Sequence, residues 1–355
     1  MNKFLILFLS ILTLNLKAAP QFYRFNPQHG EFKKELKEFF SPVFNEGRMQ
    51  IYRLKKKMTD IRIPKHLLTH LVKIKMNEWK VIPPQKLKGI LEPSPFILSK
   101  IAELSLPRVT KHLEFMTNQK SRSSGSKGNK KTVNYIQKYL KEHNYKTTTH
   151  CFGPELCNVW GLTKGKVDEY VLIEAHLDSV GRPFAGADDN ASGTAVLLEL
   201  ARLLSTGDYK RGLIIFATNG EEDGLLGSRN FVKEAEKSGL LKKIFFFINM
   251  DMVAWNENGI VDIETNRPFE HHARWVSSVT NTYTRLRPEI TMPAWGSDHV
   301  PFLRKNIPGV LTIEHWKTRS PCYHANCDTL DSLKIPYLME IAKLNLATSI
   351  YKLNE

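Results

Sequence analysis

The chain has only four cysteines in 355 residues, and it lacks any apolar run long enough to cross a bilayer. No two cysteine pairs lie close in sequence, which excludes a four-thiolate metal module. Nothing repeats at a fixed period, so a solenoid or propeller is excluded as well. Acidic residues are scarce in one region only. Residues 19–120 carry 20 Lys and Arg against 9 Asp and Glu, whereas 121–355 stand near balance at 29 against 27. The formal charge of +15 is therefore a property of an N-terminal segment and not of the whole molecule.

What is present at the start is Lys3, the apolar run FLILFLSILTLNL, and then the small residues Ala18 and Ala19. That is the layout of a signal peptide over residues 1–18, with cleavage after Ala18 or Ala19, and the run is too short for a membrane anchor. The mature protein is expected to be exported, periplasmic or secreted, with no integral membrane segment and no nucleic-acid partner. An even number of cysteines suits an oxidising compartment. Their spacing suggests the pairs Cys151–Cys157 and Cys322–Cys327, each closing a small loop; the rival reading is a metal site made of Cys322, His324 and Cys327.

Residues 19–95 read as a basic, mainly helical extension or prosegment. The strings EFKKELKEFF, YRLKKKM and HLLTHLVKIKMNEWK mix apolar and basic residues at helical spacing. Such a surface is a solvated face, a folding-assisting segment, or a face that meets acidic partners. The segment 81–95, with VIPPQ at its start and EPSPF across its end, is proline-rich and reads as a linker.

From residue 96 onward the pattern becomes regular. Helices are expected over 109–116 and 131–143, separated by the polar string SRSSGSKGNKK. YKTTTHCF, NVWGLTKG and EYVLIEAHLDSV read as strands, NASGTAVLLELARLLS as a long helix, and GLIIFATNGEED as a further strand. LLGSRNFVKEAEKS is helical, KIFFFINMDMV and GVLTIEHW are strands, and a final helix covers about 335–353. This alternation predicts an α/β domain over 96–355, with a mostly parallel central sheet flanked by helices on both faces.

The chemistry is carried by short strings: His176 in AHLDSV, Asp189 in GADDNASG, Glu221 and Glu222 in NGEED, Asp251 in NMDMV, and His324 in CYHANCDTL. Each is weak alone. In order they supply the oxygen and imidazole donors that a pair of Zn²⁺-like ions needs, with one carboxylate left over to act as a base. His176, Glu221–Glu222 and Asp251 each stand at the carboxyl end of a separate apolar strand, where ligands of open α/β sheets collect.

Residues from about 100 to 355 resemble the M28 zinc aminopeptidases, typified by bacterial secreted leucine aminopeptidases. The strings that carry the likeness are SRSSGSKGNKKTVNYI, AHLDS, GADDNASG, NGEEDGLLGSRNFV, NMDMV, SDHVPFL and YHANCDT. The resemblance implies a zinc-dependent exopeptidase fold and two Zn²⁺ ions per chain. Asp189 would bridge them, His176 and Asp251 would complete one ion's ligands, and Glu222 and His324 the other's. Glu221 would be the general base, and peptide or protein N-termini the substrate. Asp178 would accept from the imidazole of His176. Asp298 is either a helix N-cap or a support near the site.

His299 reads as structural, and His66, His70, His271 and His272 as solvent-exposed; Trp295 and Gly296 line a pocket or pack in the core. Glutaminyl cyclases share the implied fold and most of the ligands. They space the Glu-Glu pair further from the following GSR-like helix and lack NASG after the bridging aspartate. The M20 carboxypeptidases insert a large domain for which there is no room between Glu222 and Asp251. An inactive metal- or peptide-binding protein is the alternative from another class, although every ligand and the base are present.

Overall fold

The computed structural model describes residues 22–25, 40–46, 49–55, 71–74, 80–119, 121–181 and 185–355. The chain divides into two compact units, Met1–Met76 and Asn77–Glu355. The expected signal segment, His66 and His70 lie outside the described residues.

In the first unit the described stretches form an antiparallel sheet in the order β2-β3-β1-β4, with β1 Phe22–Phe25, β2 Phe40–Glu46, β3 Met49–Leu54 and β4 Leu71–Ile74. The helical spacing expected of this basic extension is corrected there. Tyr52 and Leu54 are buried while Arg53 and Lys55 are exposed, which is the two-residue period of a strand. Apolar residues separated by one or several lysines satisfy both periods, and in YRLKKKM the pairing of β3 with β2 and β1 decides between them.

The second unit is built on a nine-stranded sheet in the order β5-β12-β11-β13-β10-β8-β9-β7-β6. Its strands are β5 Lys80–Ile82, β6 Lys146–Gly153, β7 Leu156–Thr163, β8 Val167–His176, β9 Arg211–Thr218, β10 Ile244–Asp251, β11 Ile260–Glu264, β12 Arg287–Met292 and β13 Gly309–Glu314. The four central strands, β13, β10, β8 and β9, run parallel, and β12 is parallel to β11. The remaining pairings are antiparallel, so the sheet is mixed and its parallel character is concentrated at the centre. β5 runs into the stretch that reads as a linker and forms one edge of the sheet by pairing with β12.

The helices are α1 Pro95–Ala102, α2 Leu106–Thr117, α3 Lys127–Glu142, α4 Gly193–Leu204, α5 Leu226–Ser238, α6 Glu270–Tyr283, α7 His299–Arg304 and α8 Ile335–Asn354. Every residue of β9 is buried, and its side chains alternate between two cores. Leu213, Ile215 and Ala217 join the core formed with α2, α3, α4, α6 and α8. Ile214 and Phe216 join Phe231 of α5 and Phe302 of α7 on the opposite face. Continuous apolar strands of this kind need cover on both sides. Helix α3 starts earlier than its hydrophobic pattern suggests because the Ser126 hydroxyl accepts from Asn129 N at 3.1 Å, an N-cap that turns the end of the polar string into helix. Among the described residues no helix is long and apolar enough to cross a membrane.

Candidate metal centre

His176 is the last residue of β8 and Asp251 the last of β10, while Glu221 and Glu222 follow β9 after a short turn. Parallel strands end on the same side, and so three separate segments deliver polar groups to one sheet edge. Asp189 arrives from a buried turn, Ala187–Ser192, that leads into α4. Asn190 fastens this turn to β10: its amide donates to Met250 O at 2.9 Å, and its oxygen accepts from Met252 N at 3.2 Å, the two neighbours of Asp251. Gly193 allows the approach, since a Cβ there would stand 2.6 Å from Met250 O.

The side chains converge in two groups that share one residue: His176, Asp189 and Asp251, and Asp189, Glu222 and His324. His176 Nε2 is 3.3 Å from Oδ1 of both Asp189 and Asp251. His324 Nε2 is 3.1 Å from Asp189 Oδ2 and 3.2 Å from Glu222 Oε2. Asp189 thus turns one oxygen to each imidazole. His324 Nε2 and Glu222 Oε1 are buried yet make no hydrogen bond, the state of donors arranged for a cation and not for each other. The residues fit a metal centre of mixed oxygen and imidazole donors.

The electrostatics point the same way. Burial opposes the charged form of His324, but Asp189 and Glu222 outweigh it and push the imidazole up to about 10. Burial, reinforced by the charge of Asp189, lifts Glu222 to about 7. Glu221 is raised well above the usual carboxylate range, first by burial and then by Glu222 and Asp251. Four carboxylates against two imidazoles leave an excess of negative charge that a bound cation offsets.

Asp178 lies behind this group. Its Oδ1 is 3.5 Å from His176 Nδ1 and accepts from Glu221 N at 3.3 Å, while Oδ2 accepts from Glu222 N at 3.2 Å. One buried carboxylate therefore positions three site residues. Asp298 precedes α7 but makes no capping bond. It is fully buried, accepts from Thr218 and Ser228 hydroxyls at 2.5 Å each, and burial pushes it up to about 6. His299 is buried 3.4 Å from Glu264, whereas His271 is exposed and His272 half-buried against Phe246. Trp295 and Gly296 are half-buried.

Both disulfides form as their spacing suggests, Cys151–Cys157 and Cys322–Cys327, which removes the thiolates from any metal site. The second brackets His324, whose backbone takes φ +54°.

Sequence reasoning missed two supports. Arg122 is fully buried and donates to the carbonyls of Leu177 and Gly186 at 3.0 and 2.8 Å, on either side of the loop before Asp189. Asp328 accepts from the backbone N–H groups of Asp188 and Asp189 at 2.8 and 3.1 Å. Both stand in the strings SRSSGS and NCDT, where the only signal was proximity to ligands.

A mixed sheet with such a cluster at its parallel strand ends defines an α/β protein whose donor groups could hold metal. Residues 158–349 match the model of peptidase family M28, and the chain belongs to that family. It is 30% identical over 205 residues to aminopeptidase YwaD of Bacillus subtilis, covering 55% of this chain and 44% of that one. The chain spans about half or less of the length of the first curated relatives it matches. Among solved structures it superposes on the LapA aminopeptidase of Legionella pneumophila with a TM-score of 0.69 at 17% identity, over 95% of this chain and 98% of that one. The zinc aminopeptidase BSAP of Bacillus subtilis aligns with a TM-score of 0.50 at 28% identity, over 56% and 50%. A glutaminyl cyclase of Bacteroides thetaiotaomicron shares the fold, with a TM-score of 0.59 at 20% identity over 70% and 98%.

Proposed function

We propose that the protein is an exported aminopeptidase that uses two zinc ions to release N-terminal residues from peptides. The observation that carries this reading is the division of Asp189, one carboxylate oxygen toward His176 and the other toward His324. His176, Asp189 and Asp251 would hold one ion, and Asp189, Glu222 and His324 the other. Such a pair supplies polarisation of the scissile carbonyl and a lowered pKa for the attacking water.

The remaining work falls to the chain. Glu221, buried and with its proton affinity raised, takes a proton from water and hands it to the leaving amine. Asp178 holds the backbone of Glu221 and the ring of His176 in register for that transfer. The surplus of carboxylates favours a substrate that brings a cationic α-amine, which selects free N-termini. The four residues between Glu222 and Gly227, and the NASG string after Asp189, favour the peptidase over a cyclase. The two disulfides and the N-terminal sequence support export.

The test uses free and blocked aminoacyl amides and N-terminal glutaminyl peptides, with and without chelator. Release of the first residue from free-amine substrates alone, lost on chelation and reduced by at least ~100-fold in Glu221→Gln with zinc content unchanged, is the expected result. Cyclisation of glutaminyl peptides without residue release would replace this reading with the cyclase.

A further inference from the structure

A second group of buried donors lies away from these ligands and shares no residue with them. Asp262 of β11 stands directly opposite Glu289 of β12 in the strand register, and His315 follows β13 on the other side of β11. All three are buried, at 4%, 5% and 6% exposure, and their donor atoms lie within 4.8 Å of one another.

Two carboxylates placed opposite each other on paired strands repel, and burial removes the water that would screen them. The cation at hand is Lys317, whose Nζ is 3.6 Å from Glu289 Oε1 on a side chain 38% exposed. Asp262 uses Oδ2 to accept from Trp316 N at 3.2 Å, and its Oδ1 has no hydrogen-bond partner. His315 Nε2 is likewise without one and points at Glu289 Oε1 from 3.6 Å. That distance is too long for a hydrogen bond. It is close to the ~3.4 Å that separates two ligands of a tetrahedral ion with bonds of about 2.1 Å. The other ring nitrogen, Nδ1, lies 2.7 Å from Asn258 Nδ2 and 3.3 Å from Thr318 Oγ1, while Asn258 Oδ1 accepts from Ile260 N at 3.0 Å. A proton held on Nδ1 and donated to Thr318 Oγ1, which also accepts from Asn258 Nδ2 at 3.1 Å, leaves Nε2 its lone pair.

We propose that Asp262, Glu289 and His315 bind a divalent transition-metal ion of zinc type, as a structural site separate from the peptidase centre. The donor set is an imidazole with two carboxylates, the same composition as each group at the sheet edge. The ion joins β11, β12 and the segment leaving β13. From His315 that segment runs through Trp316, whose ring meets Tyr323 edge-on at 5.3 Å, and Tyr323 stacks on His324 at 3.9 Å. The site therefore fixes the base of the segment that presents His324.

The experiment measures zinc per chain by elemental analysis of the full-length protein after equilibration with Zn²⁺ and removal of excess. His315→Gln and Asp262→Asn should each lower the content by about one ion, in the otherwise unaltered chain and equally in an Asp189→Ala background. The second background makes the result independent of whether the peptidase reading holds. In Asp189→Ala with the triad intact, added Zn²⁺ should raise the melting temperature, and His315→Gln should remove that rise. Should either substitution misfold, the zinc-dependent rise in the intact-triad Asp189→Ala chain remains the deciding measurement. Equal zinc content with and without His315 in folded protein, or no zinc-dependent rise in Asp189→Ala, would overturn the proposal and leave the triad as a metal-free ion cluster.

Discussion

At the scale of single residues the site is governed by carboxylates that do not touch the reaction. Asp178 links His176 Nδ1 to the N–H groups of Glu221 and Glu222. An amide at that position can keep only part of this pattern, because its NH₂ group opposes one of the donors it replaces an acceptor for. Asp178→Asn is expected to weaken zinc binding by about 10- to 100-fold and to lower kcat, with zinc titration and steady-state kinetics as the two readouts. Unchanged zinc affinity would place Asp178 outside the support of His176. The residues legible in the sequence were those whose chemistry is visible in a short string, such as HLD or EED. Arg122 and Asp328 were not, since their role depends on which backbone carbonyls and N–H groups the fold brings to them.

At the scale of elements, the loop Cys322–Cys327 holds His324 in a left-handed conformation, φ +54°, that costs a non-glycine residue on the order of 1–2 kcal/mol. The crosslink offsets about 2 kcal/mol of chain entropy by the loop-closure model, enough to keep the imidazole where it is. Replacing both cysteines by serine should lower kcat/KM by about tenfold or more while shifting Tm by only a few degrees. The corresponding change at Cys151 and Cys157, in the β6–β7 hairpin, should shift Tm comparably and leave kcat/KM unchanged. Equal kinetic effects of the two pairs would contradict this assignment. Central strands such as β9 were readable because they are apolar throughout. β11 and β12 escaped notice because Asp262, Glu264 and Glu289 interrupt their apolar alternation with buried acids. Strand β3 of the first unit was hidden differently, by the lysine run that follows it and fits a helical face as well as a strand.

At the scale of the whole molecule, stability against pH depends also on a group outside the candidate ligand set. His112 on α2 is buried, with Nδ1 2.7 Å from Tyr135 OH. Burial first, then the charges of Lys111, His143 and Arg108, lower its pKa to about 4. A base with a lowered pKa binds fewer protons folded than unfolded. Its contribution is therefore complete above pH 6.5, declines as pH falls through the interval down to about 4, and is constant below. The loss is on the order of 3 kcal/mol, and His112→Gln should flatten the urea-unfolding free energy over that interval. A slope unaltered by the substitution would assign the acid sensitivity to the carboxylates instead.

β5 occupies one edge of the nine-stranded sheet, and it is only three residues long. An open edge invites strands from other molecules, and parallel-centred sheets are slow to complete. Here Pro83 and Pro84 follow Ile82 at once, and neither has an N–H to offer. Beyond Ile82 the chain offers no ladder donor for two residues, so the prolines act against extension of the sheet along that margin by another strand.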